Sequence, residues 1–221
     1  MSKTAFAAAI VHLIAGLCMA IILRQGLDTA QLPDRLSFLV EHRFLWLAGW
    51  LTWNLAAIAI LVFYFCFAQA HEENSKYDWL LQLAILLTGS GVAIDFGAEA
   101  IEMGVLPNLA QMSVFHSGNM AATSTEIFLS LHRTAVMMTG CLANELYTIS
   151  AALLIFATRD RYSWLIKTPG CLVVASGTWL SIACLLNSVS GMMLSNILLL
   201  PMLIIWQLGI AYQSKLEARS V

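Results

Sequence analysis

Asp95, Glu99 and Glu102 lie at i, i+4 and i+7 in the stretch "IDFGAEAIEMG", and no Lys or Arg follows them before Arg133. On a helix that spacing puts all three carboxylates on one face. With His132, and with His116 as a further imidazole, they offer oxygen and nitrogen donors suited to a divalent metal such as Zn, Mn or Fe. The metal set read from the sequence is therefore Asp95, Glu99, Glu102, His132 and His116. A wider ligand-binding set adds Arg133, Glu145 and His12 to the three carboxylates and His132. Asp95 and Glu145 are the candidate catalytic or proton-carrying groups. The chain has no HExxH, no paired ExxH and no His-rich tract, so the residue types permit a chemistry without specifying one.

The elements that carry these residues are apolar. Of the 221 residues 60% are hydrophobic and 11% charged, with mean hydropathy +0.79. A soluble domain carries about 25% charged residues, so the solvent implied is lipid. Six runs are long enough to cross a hydrocarbon core of roughly 30 Å: residues 4–23, 44–70, 79–104, 134–157, 168–189 and 192–212. Backbone groups in lipid must be satisfied within the segment, and barrel-like alternation is missing, so the spans are expected to be helices. The fold class expected is all-α, a single polytopic bundle of about six transmembrane helices over residues 1–221. The first run exceeds the 7–15 residues of a signal h-region and reads as a retained span. Pro201 is expected to kink the last span without ending it.

Basic residues set the orientation. With the N-terminus inside, Lys3, Lys76, Arg159, Arg161, Lys167, Lys215 and Arg219 fall on the inner side, and Arg24, Arg35, Arg43 and Arg133 on the outer. The arrangement expected is N-in and C-in, in a bacterial inner (cytoplasmic) membrane. In the first loop Pro33 and Asp34 open a short helix whose Leu36, Phe38, Leu39 and Val40 are expected on the bilayer surface. Thr123 to Glu126 fits a capping box, so the fourth helix is expected to start near Ser124. Trp46, Trp50 and Trp53 form a stripe expected in an interfacial belt.

Depth follows from a rise of about 1.5 Å per residue. Glu99, Glu102, His132 and Arg133 come to the outer rim, where Arg133 is expected to meet the acidic pair. Asp95 lies inside the hydrocarbon, with Asn187 and Asn196 at a similar depth. Glu145 and His12 lie near the midplane. Ala84, Thr88 and Gly91 continue the acidic stripe inward as small residues suited to a helix partner. If these polar groups face one cavity, it opens outward.

Scattered basic residues leave no nucleic-acid footprint. Cys18, Cys66, Cys141, Cys171 and Cys184 sit in apolar stretches without CxxC spacing and read as small hydrophobes. Three functional readings stand. The first is an outward-opening acidic and histidine pocket that binds a cation or small polar ligand, with metal-dependent catalysis as one use. The second is a proton-coupled transporter using Glu145 and Asp95 with His12 as relay. The third is an accessory subunit or sensor of a larger membrane complex. The partners expected are the bilayer and a homo-oligomer or larger assembly.

Overall fold

A computed structural model of the chain describes residues 1–71 and 77–217. Lys76 and Arg219, used above for orientation, lie outside the described residues. Among these the secondary structure is helical, without strands: α1 (Ser2–Ile21), α2 (Leu32–Glu41), α3 (Arg43–Gln69), α4 (Asp78–Ala100), α5 (Leu106–Phe115), α6 (Asn119–Val136), α7 (Asn144–Ala157), α8 (Trp164–Leu185) and α9 (Val189–Glu217). Wide π-turns at Ile101–Val105 and Met137–Ala143 join α4 to α5 and α6 to α7 without a break. Six continuous helices are long and apolar enough to cross a membrane: Ser2–Gln25, Arg43–Gln69, Asp78–Phe115, Asn119–Ala157, Trp164–Leu185 and Val189–Leu216. The protein is a helical membrane bundle.

The six helices close a ring. α1 packs on α3, α3 on α4, α4 on α7, α7 on α8, α8 on α9, and α9 returns to α1. Each helix thus contacts its neighbours in sequence, as short connections dictate. The closure is fastened where the Ser2 hydroxyl donates to Ala211 O at 2.9 Å. Small residues bring the helices close. Ala84, Thr88 and Gly91 pack against α7, where Tyr147 covers Gly91 and the Ser150 hydroxyl donates to Ala84 O at 2.9 Å. Asn144 ties α7 to α8 by donating to Gly177 O at 2.7 Å and Ser181 Oγ at 2.9 Å.

Two apolar clusters fill the ring. One, towards the end holding Met1, centres on Phe63, Tyr64, Phe67, Leu154 and Trp206. The other, at the opposite end, gathers Leu23, Leu36, Phe38, Leu39, Trp46, Trp50, Leu106, Ala110 and Phe128. That second cluster corrects two expectations. Pro33 does sit in the first turn of α2, but Leu36, Phe38 and Leu39 are buried in protein instead of lying on the bilayer. Trp46 and Trp50 are buried as well, stacked edge-on at 5.6 Å, and form no interfacial belt. Covering α2's apolar face with the ends of α3, α5 and α6 removes more apolar surface from solvent than a shallow interfacial seat.

The helix ends also differ from expectation. The third helix continues from 104 to Phe115, and the fourth begins at Asn119, well before 134. Residues 123–126 therefore lie inside α6 and form no capping box; Gly118, at φ 65, precedes the helix instead. The turn between α8 and α9 is tight. Asn187 takes the left-handed conformation (φ 53), Ser188 N donates to Ala183 O at 2.8 Å and Asn187 N to Cys184 O at 3.1 Å. This is a Schellman ending. Pro201 lies within an unbroken α9.

Gly177 tests the ring, because an added Cβ there would collide with Thr148 Oγ1. Gly177→Ala is expected to lower stability by about 1–3 kcal/mol. A thermal melt in mild detergent reads the loss, and Gly177→Ala with Thr148→Ala should recover part of it. An unchanged melt for the single variant would mean that the α7–α8 seam is looser than drawn.

Candidate functional site

The acidic stripe is enclosed. Relative exposures are 3% for Asp95, 0% for Glu99, 1% for Glu102 and 2% for His132. The carboxylates thus lie within protein, as their shared face predicts, but no open outward mouth exposes them. Two apolar clefts lie elsewhere among the described residues, one between α1 and α3 and one between α7 and α8.

Local sequence explains how Glu102 is held. It lies in the π-turn Ile101–Val105, and Pro107 follows five residues later. In π register residue 107 would donate to the carbonyl of residue 102, but proline has no N–H. The Trp46 indole supplies the missing donor, at 2.8 Å from Glu102 O. The Glu102 side chain then meets α6, where His132 Nδ1 lies 2.8 Å from Oε1. His132 stacks parallel to Phe128, with ring centroids 6.3 Å apart.

The other ring nitrogen of His132, Nε2, faces Asp28 Oδ2 at 3.5 Å. Only a doubly protonated imidazole can donate from both nitrogens, and here both face carboxylate oxygens. Asp28 also pairs with the buried Arg35. Arg35 Nε donates to Gly26 O at 3.2 Å, and its guanidinium lies 5.5 Å over the Phe128 ring. Asp28 lies outside the spans. The His132 ring, followed by the Arg35 guanidinium, holds its carboxyl at about 2, below the ordinary 3.8, although partial burial works the other way.

Further into the bundle, the Tyr147 hydroxyl of α7 donates to Asp95 Oδ2 at 2.8 Å. Glu102 Oε2 and both oxygens of Glu99 have no hydrogen-bond partner among the described residues, while Thr139 stands beside Asp95. Glu99 is one helical turn from each of its acidic neighbours, so the three form a ladder up α4 and the π-turn. A line of ionisable groups therefore runs from the partly exposed Asp28 through His132, Glu102, Glu99 and Asp95 to Tyr147.

The remaining predicted residues go elsewhere. Arg133 does not join the acidic pair: its Nη2 donates to Cys184 O at 2.6 Å, and no carboxylate lies within 4 Å of it among the described residues. It sits on the carbonyl end of α8, where a cation is favoured. His116 is exposed at the end of α5, its Nδ1 3.2 Å from Met112 O. His12 is buried on α1, its Nδ1 2.7 Å from Ala8 O and 3.3 Å from Gln207 Nε2. Glu145 sits on α7, half-buried, with one oxygen lacking a partner among the described residues. α1 packs chiefly on α3 and α9, and α7 chiefly on α4 and α8, so the packing does not bring His12 and Glu145 into a relay. Asn187 is the α8 ending, while Asn196 is exposed and bonds Met192 O, so the expected layer with Asp95 does not form.

No three His, Cys, Asp or Glu side chains among the described residues are placed to hold a metal ion. Sequence reasoning missed Asp28, Arg35 and Tyr147. Arg35 shares the face of α2 that carries Leu36, Phe38 and Leu39, so its burial was legible in helical spacing. Tyr147 stands opposite Gly91, a small residue that leaves room for a large partner. Nothing local marks Asp28.

The Asp28 environment has a pH signature. Because its folded carboxyl titrates at about 2 against an ordinary 3.8, its stabilisation is complete above about pH 4 and is lost as pH falls towards 2. Asp28→Asn is expected to destabilise the protein by roughly 1 kcal/mol at neutral pH, after allowance for solvent screening. Melting curves of variant and wild type in detergent should converge as the pH is lowered; a constant separation would rule out the charge as the cause.

No family model, curated protein or solved structure matches this chain, so the roles of these residues rest on their own geometry.

Proposed function

We propose that this membrane protein binds a cation at the ladder Asp95–Glu99–Glu102, and that the cation is a proton exchanged with one aqueous face through His132 and Asp28. One observation carries the reading: Glu99 is fully buried, has no donor for either oxygen among the described residues, and stands between two other buried carboxylates. An ionised carboxylate in that position costs several kcal/mol. A proton on the ladder removes that cost and supplies an O–H that a neighbouring carboxylate can accept. A divalent metal fits less well, since three ligands do not converge among the described residues and both nitrogens of His132 already face carboxylates.

The Asp28–His132–Glu102 contacts supply the exchange route, for each group can accept a proton from one side and release it to the other. Beyond Tyr147 the core becomes mainly aromatic around Tyr64, Phe63 and Trp206, with the His12–Gln207 contact beside it and no further carboxylate among the buried described residues. That favours a proton-binding, sensing role on one side over a path across the membrane. α2 is the element that reads the proton, because Arg35 seats it on Asp28 and Phe128. Protonation of His132 or Asp28 changes that charge balance directly.

Infrared difference spectroscopy across a pH step, on protein in lipid, tests this. Wild type is expected to show a protonated carboxylic acid band that Glu99→Gln removes and Glu145→Gln leaves in place. If Glu99→Gln leaves the band intact, the ladder is not the proton site. Loss of folding in Glu99→Gln would be seen in its melt, and Asp95→Asn, which keeps an acceptor for Tyr147, then serves as the second variant and is expected to shift the band.

A further inference from the structure

At the other end of the bundle, α7 and α8 leave a cleft of about 320 Å³ lined by Ala152, Ile155, Phe156, Arg159, Cys171 and Val174. Its walls are apolar except for Arg159. Large apolar side chains stand exposed along the same two helices, among them Ile149, Phe156, Leu172 and Trp179. In a membrane-spanning bundle such a surface is covered by lipid, so the occupant of the cleft is an acyl chain. From Ala152 on α7 to Arg159 in the turn that follows it, the cleft extends roughly 10 Å.

Arg159 decides which lipid. Its guanidinium is held 4.7 Å over the Phe156 ring and 5.5 Å over the Tyr77 ring, and its Nη2 donates to Tyr77 OH at 3.3 Å. These contacts fix the planar fork at the mouth of the cleft, where a phosphate would lie. Among the described residues its carboxylate neighbour, Asp160, is 3.7 Å away and largely exposed, a surface pair of small weight. Lys167, which donates to Arg159 O at 3.0 Å, adds positive charge beside the same mouth. An apolar slot capped by a fixed guanidinium matches a phospholipid with a net negative headgroup, since a zwitterionic one carries its own cation against this charge.

We infer that the α7–α8 cleft is a binding site for one anionic phospholipid, with an acyl chain between Ile155, Cys171 and Val174 and the phosphate on Arg159. The site is separate from the acidic ladder and independent of proton binding there.

Native mass spectrometry of the full chain, released from neutral detergent micelles containing either phosphatidylglycerol or phosphatidylcholine, tests the site. Wild type is expected to retain one phosphatidylglycerol at a lipid concentration roughly fivefold lower than phosphatidylcholine requires, the weight of one basic side chain at an anionic surface. Arg159→Gln should bring the two lipids level. Ala152→Phe, which fills the slot and leaves Arg159 in place, should lower retention of both. Equal retention of the two lipids by wild type, or retention unchanged in Ala152→Phe, would overturn the assignment.

Discussion

A carboxylate inside a membrane protein has to find its partners within the protein, because hydrocarbon offers none. Three of them on one helical face constrain everything around that face. The α4 stripe turns inward, α7 and α6 pack against it, and α2 folds over its end. Tyr147 satisfies part of Asp95 and His132 part of Glu102. Glu99, between them, is left without a donor among the described residues. The arrangement is one a structural core would avoid, since apolar side chains of similar volume would pack there at lower cost.

The irregularities of the bundle gather at the same place. Both π-turns lie beside the ladder, one carrying Glu102 and the other packed on α4. A π-turn leaves carbonyls whose usual donors are displaced, and such turns recur at functional sites. Here Trp46 repairs one of those carbonyls, which makes the buried tryptophan part of the site's support instead of a membrane anchor. The cap formed by α2 serves in a similar way. Its apolar residues close the end of the bundle, and its one buried cation, Arg35, positions the carboxylate through which His132 meets solvent.

The two ends of the molecule do different electrostatic work. At the ladder end charges are matched within protein: buried Arg35 with the partly exposed Asp28, buried His132 with Glu102 and Asp28, and half-buried Arg133 with the carbonyl end of α8. At the Met1 end Arg159 is presented at the edge of a lipid-facing cleft. Burial separates the roles. A buried cation is used up by its protein partners, whereas a rim cation over aromatic rings keeps its charge available to a headgroup.

The apolar runs alone determined the membrane-spanning helices, because length and hydropathy are local properties that lipid enforces segment by segment. Spacing likewise determined that Asp95, Glu99 and Glu102 share a face and that this face turns to protein. The reach of the third and fourth helices was not legible: residues 105–115 and 119–133 are polar enough to resemble loop, and only their packing on each other and on α2 makes them helical. The same holds for the Trp46 and Trp50 stripe, which reads as a belt until α2 covers it. Arg133 stands next to His132 in the chain, yet the two side chains diverge around α6, one to the acidic ladder and the other to α8. Successive residues on a helix point about 100° apart, so adjacency in sequence says little about shared partners. Asp28 enters the site through a loop, and only tertiary structure decides where a loop closes.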